Sequence, residues 1–84
     1  MTIRDAALSD ATAISQLTSE LGYAASTEEI ADRLSRAVDR RKQIVLVADV
    51  EEKIAGWIQV QAAEVLESGL RAEIVGLVVA ERCR

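Results

Sequence analysis

The chain contains no proline, no histidine and no phenylalanine, and only one cysteine, one tryptophan and one tyrosine in 84 residues. Each absence removes a class of function. Without histidine, neither a Ser-His-Asp triad nor a Cys-His pair can be assembled, and the usual Cys/His zinc spacings are missing, so no metal site is expected. The lone Cys83 has no partner for an internal disulfide. Aromatic residues for base stacking are scarce. The formal net charge is −4, whereas a nucleic-acid binder presents a basic stripe. The only basic concentration is Arg40, Arg41 and Lys42, so no nucleic-acid partner is expected. No basic segment followed by an apolar one opens the chain, and no apolar run approaches the roughly 18 residues that span a bilayer. These features predict a soluble, cytoplasmic protein without a membrane partner.

What remains is aliphatic. Half of the residues are hydrophobic, with Trp57 and Tyr23 the only aromatics, so the core must come from Ile, Leu, Val and Ala. A chain of this length forms at most one domain, residues 1–84, and buries only about 60 to 65% of its unfolded surface.

Periodicity then orders the elements. Thr2 to Arg4 reads as a short extended start. "LSDATAISQLTSELGY" reads as a helix, with Ser9 as its cap, Ile14, Leu17 and Leu21 on one face and Gly22 as its stop. In "STEEIADRLSRAVDRR", Ser26 and Glu29 form a capping box, and Ile30, Leu34 and Ala37/Val38 form an apolar stripe. Glu29 with Arg33, and Asp32 with Arg36, are spaced for i,i+4 pairs on its solvated side. From Gln43 the period becomes two. "QIVLVADVEEKIAGWIQVQA" reads as a hairpin turning at Val50 to Glu52, with Ile54, Ile58 and Val60 on one face and Trp57, Gln59 and Gln61 on the other. After a polar connection at Glu67 to Gly69, "AEIVGLVVA" reads as a last strand, with Ile74 to Val79 buried on both faces. The predicted class is α/β of the α+β kind: a β-α-α-β-β-β order, a mainly antiparallel sheet, and both helices on one face. Nothing in that order covers the second face, which a second chain or a further helix would have to close.

"VLVADVEEKIAGWIQVQ" followed by "AEIVGLVVAERCR" resembles the GNAT superfamily of N-acetyltransferases. There, a β-α-α-β-β-β half leads into a signature Arg/Gln-x-x-Gly-x-Gly/Ala. Val79 to Arg84 fits the lead-in, with Glu81 where proline is common and Arg84 at the first position of the signature. The resemblance implies that residues 1–84 are the N-terminal half of an acetyl-CoA-dependent enzyme that transfers acetyl to a primary amine by direct attack. It also implies a half that is inactive alone and binds acetyl-CoA weakly or not at all, since the pyrophosphate loop would lie beyond Arg84.

Site residues follow from the same resemblance. Glu73 stands where a glutamate of related histone acetyltransferases is the general base. Acyl transfer to an amine needs the ammonium deprotonated, and a carboxylate in an apolar site can accept that proton directly or through water. A solvent-facing strand-end glutamate is the plain alternative. Leu77, Val78 and Val79 would hold the pantetheine arm through backbone groups, as a strand partner would, while Arg84 would begin the pyrophosphate loop. Tyr23 and Trp57 lie where acceptor pockets of the family are lined, with partial packing under a helix as the plain alternative. Cys83, between Arg82 and Arg84, is placed for intermolecular oxidation rather than catalysis. An acidic rim of Glu28, Glu29 and Glu64 would suit a cationic small-molecule or peptide amine. A different class of function is also open. As a non-catalytic assembly module, the chain would form a homodimer through its last strand.

Overall fold

The computed structural model describes residues 1–38 and 43–83. Strand β1 (Thr2–Asp5) leads through a 3-10 turn (Leu8–Asp10) into helix α1 (Ala11–Glu20), and α2 (Thr27–Val38) follows. Strands β2 (Gln43–Val50), β3 (Lys53–Val65) and β4 (Gly69–Val79) come next, and a second 3-10 turn occupies Glu81–Cys83. The sheet runs β1-β2-β3-β4, and every neighbouring pair is antiparallel. The predicted element order and the three-strand meander are therefore present.

Local chemistry explains where the helices begin and end. At the end of α1, Gly22 takes φ of 89°, its N–H donates to the Ser19 carbonyl at 2.9 Å, and the Tyr23 N–H donates to Thr18 at 3.3 Å. This pair of bonds is a Schellman motif, which needs a residue tolerant of the left-handed region. The capping box before α2 is closed in both directions. Glu29 N–H donates to Ser26 Oγ at 3.1 Å, and Ser26 N–H donates to Glu29 Oε1 at 3.0 Å. The Ser26 N–H first, and then the Ser26 hydroxyl, hold the Glu29 carboxyl below its ordinary range. Both expected pairs on α2 form, Glu29 with Arg33 at 3.6 Å and Asp32 with Arg36.

The start of α1 departs from expectation. The N-cap position is Asp10, not Ser9, and no side chain caps the helix; the Asp10 carboxylate instead fastens the turn before it, Oδ2 accepting the Ala7 N–H at 2.7 Å and Arg4 Nη1 at 2.8 Å, and Oδ1 accepting Arg4 Nη2 at 2.9 Å. A carboxylate with two oxygens can take both the backbone donor and a forked guanidinium, which a serine hydroxyl cannot. Asp10 is buried, so its charge is tolerated only because Arg4 reaches it from β1.

The two faces of the sheet differ. Across β2, β3 and β4, Val47, Trp57 and Val78 stand in register on the side that the helices cover. Ile14 and Leu34 pack with Ala6 and Val47, and Leu17 packs with Val78 and Ala80. On the opposite side Leu46, Ile58 and Leu77 form one row, and Ile44, Val60 and Ile74 form the next. No described helix covers these rows, and Ile44, Ile74 and Leu77 are 50%, 64% and 59% exposed. The expectation that Ile74 to Val79 is buried on both faces is thus corrected: β4 is an edge strand, and of these residues only Val78 is buried.

Two bulges adjust the register. Ala48 pairs with Gly56 but Asp49 pairs with Ile54, leaving Ala55 extra on β3. The kink turns Ile54 to the helix side, where it packs beside Trp57, rather than leaving it with Ile58 and Val60 as simple alternation predicts. At the β2–β3 turn both Glu51 and Glu52 have positive φ, 51° and 67°, as a two-residue hairpin loop requires.

The Arg4–Asp10 pair makes stability pH-dependent in one direction. The hydrogen bonds from Arg4 first, and then the Ala7 N–H, hold the folded Asp10 carboxyl below its ordinary value, against burial. Its stabilising contribution is therefore fully present above the unfolded aspartate pKa of about 4 and is lost as pH falls through the lower folded value. Thermal melts of wild type and Asp10→Asn should differ at neutral pH, with the variant less stable, and converge in strong acid. Parallel curves down to the lowest pH would show that the pair contributes nothing.

Candidate active site and the fold it sits in

The helix-side face of the sheet becomes polar away from the core. Beyond the row of Val47, Trp57 and Val78 comes the row Val45, Gln59 and Gly76, and beyond that Gln43, Gln61 and Glu73. Gln59 Nε2 donates to Gln43 Oε1 at 3.1 Å, tying the two rows together.

Gly76 makes this arrangement possible. A Cβ at position 76 would lie 2.7 and 2.9 Å from two carbons of the Trp57 ring, so the indole occupies the space that any other residue would fill. Beside it, Val75 is an extra residue on β4, since Gln59 pairs with Gly76 and Val60 with Ile74. Gly56 answers a second close approach, because a Cβ there would sit 2.8 Å from the Val78 carbonyl oxygen. The chain past β4 is pinned to the same region: Ala80 N–H donates to the Ala55 carbonyl at 2.7 Å, and Glu81 N–H donates to Glu20 Oε2 at 3.1 Å.

Between α2 and this face lies a groove of about 400 Å³. Val45, Trp57 and Gln59 form its floor, and Ile30, Leu34 and Ala37 line the α2 side. Arg33, Arg36 and Gln43 bring polar groups to it. The Trp57 Nε1–H is buried and has no hydrogen-bond acceptor among the described residues.

The expected site residues distribute unevenly around this groove. Trp57 lines it. Glu73 lies on the same face of β4, opposite Gln61, in polar rather than apolar surroundings: its Oε1 accepts Arg71 Nε at 3.1 Å and Nη2 at 3.0 Å. Tyr23 stands in the α1–α2 connection, is 68% exposed, and does not line the groove. Leu77 turns its side chain to the open face and Val78 is buried under α1, while Val79 is partly exposed at the end of β4. Arg84 lies outside the described residues. Neither Glu28, Glu29 nor Glu64 lines the groove. Among the described residues no cluster of Cys, Asp or Glu is arranged to hold a metal ion, and no helix is long and apolar enough to cross a membrane.

Sequence reading missed Arg33, Arg36, Gln43 and Arg71, and gave Gly76 no role. A glycine inside an apolar strand was the available signal, because it marks a bulge or a close approach. The α2 arginines look like a solvated face until the groove beside them is seen.

No protein-family model matches the chain, and no curated protein matches it. Solved structures do. A GNAT family acetyltransferase from Staphylococcus aureus superposes with a TM-score of 0.87 at 21% identity over 99% of this chain and 64% of that one. The fold is that of the GNAT acetyltransferases. The aminoglycoside 6'-N-acetyltransferase AAC(6')-IG from Acinetobacter haemolyticus gives 0.82 at 14% identity, over 100% of this chain and 60% of that one. Glucosamine-6-phosphate N-acetyltransferase from Arabidopsis thaliana gives 0.82 at 24%, over 99% and 62%. At these identities the likeness carries the fold and not the substrate. The chain spans 60 to 64% of the length of these three proteins.

Proposed function

We propose that residues 1–84 are the N-terminal part of an acetyl-CoA-dependent N-acetyltransferase that acetylates a primary amine by direct attack. One observation carries this reading: in a GNAT fold, Glu73 stands on the helix-side face of β4, in a polar row beside an apolar groove. Acetyl-CoA would supply a thioester as the acyl donor. Strand β4 fits the pantetheine arm, since it pairs with β3 on one side and with no described strand on the other, leaving an edge for an extended ligand. Backbone groups of Leu77 and Val78 would orient the arm along that edge, with Val79 and then Arg84 following toward the pyrophosphate. Glu73 would take the proton from the attacking amine once its pairing with Arg71 is exchanged for the substrate ammonium. Trp57 would form part of the acceptor wall, and Tyr23 would approach from the α1–α2 connection. The superposed structures extend well beyond this chain, so the fragment alone would hold acetyl-CoA only weakly and would not turn it over.

Amide chemical shifts recorded with increasing acetyl-CoA test this reading. Dissociation constants weaker than about 1 mM are expected, a binding free energy of no more than about 4 kcal/mol. Shifts should concentrate on Leu77 to Val79. Saturation at micromolar concentration, or shifts elsewhere with β4 silent, would contradict it.

A second reading rests on a different observation. The exposed side chains of Ile74 and Leu77 join the β4 edge to a broad apolar face, which suits a non-catalytic module that dimerises by pairing β4 with its copy. Light scattering at tens of micromolar would find a dimer on this reading, and a clean monomer would exclude it.

A further inference from the structure

We infer that the groove between α2 and the sheet is an acceptor seat for an amine whose apolar body carries an anionic group, a carboxylate or phosphate. As an acceptor seat it rests on the acetyltransferase reading; as a binding site it stands on the groove itself. The described residues that line the groove include two arginines and no carboxylate. This is opposite to the acidic rim expected for a purely cationic substrate.

Arg33 and Arg36 sit three residues apart on α2, at the margin of the stripe formed by Ile30, Leu34 and Ala37. Their pairings with Glu29 and Asp32 lie on the exposed side of the helix. Exposed i,i+4 pairs are weak, so either guanidinium can turn to a ligand anion at little cost. The floor of Val45 and Trp57 offers an apolar surface for the body of the ligand. The groove's polar lining groups are guanidinium groups, amides, the Trp57 indole N–H and the Thr18 hydroxyl, which donates to the Ile14 carbonyl. Gln59 Nε2 is engaged with Gln43 Oε1, leaving Gln59 Oε1 and Gln43 Nε2 for a ligand, and the buried Trp57 Nε1–H is a donor with no acceptor among the described residues. One row further along β3, roughly 7 Å at the rise of an extended strand, Gln61 faces Glu73. A ligand laid along the groove thus meets guanidinium groups at the α2 side and a carboxylate one row past the floor. That order suits an anion at one end and an amine at the other.

The only tryptophan of the chain lies in this floor, so its emission reports occupancy without any acetyl transfer. The probes are para-aminomethylbenzoate and benzylamine, which differ by the carboxylate. The carboxylate-bearing amine should change Trp57 emission saturably and bind about tenfold tighter than benzylamine, the worth of one charge-assisted contact. Arg33→Gln with Arg36→Gln should bring the two affinities together, with circular dichroism confirming that the variant is folded. Equal or tighter binding of benzylamine, retention of the difference in the double variant, or no saturable change would overturn the inference. A preserved preference alongside a β4 silent to acetyl-CoA would overturn the acetyltransferase reading and leave the groove assignment standing.

Discussion

The contact between the Trp57 indole and the bare backbone of Gly76 is the constraint on which the rest of the architecture depends. The ring lies where a side chain at 76 would be, and from there it reaches both halves of the core, the cluster of Ala6, Ile14, Leu34 and Val47 and the cluster of Leu17, Val78 and Ala80. No other aromatic residue is available for that bridge in a chain with one tryptophan, one tyrosine and no phenylalanine. An aliphatic core of this size is marginal, and Trp57 packs against both of its clusters. The bulge at Val75 belongs to the same arrangement, since it brings Gly76 rather than Val75 opposite Gln59.

That contact also divides the helix-side face into a dry part and a polar part. Inward of Trp57, valine and alanine meet α1. Outward of it, glutamines and Glu73 succeed one another in register while α2 stands off far enough to leave a groove. The opposite face is mostly aliphatic, with Ile44, Ile74 and Leu77 exposed. The covered face thus holds the apolar core beside a polar strip, while the open face carries exposed aliphatic side chains.

Much of the fold was legible in the sequence because its signals are local. The capping box of Ser26 and Glu29 and the stop at Gly22 act within a few residues and are found as read, and the period-two runs after Gln43 form β2, β3 and β4. What was illegible depends on distance along the chain. Asp10 outcompetes Ser9 only because Arg4 arrives from β1. Ile54 changes face only because β3 bulges against Asp49. The site was legible in part. Glu73 and Trp57 were marked by resemblance and do share a face, but Arg71, which holds the Glu73 carboxylate, and the α2 arginines, which border the groove, carry no sequence pattern that separates them from surface charge.

The most direct test of this account is the stability and emission of Gly76→Ala. A methyl group there must displace the indole or the strand, so the variant should lose about 1 to 3 kcal/mol in denaturant unfolding, the usual cost of overpacking, and its Trp57 emission should move toward that of an exposed indole. Unchanged stability with unchanged emission would show that Trp57 does not depend on the bare backbone of β4, and the account of how the site is positioned would fail with it.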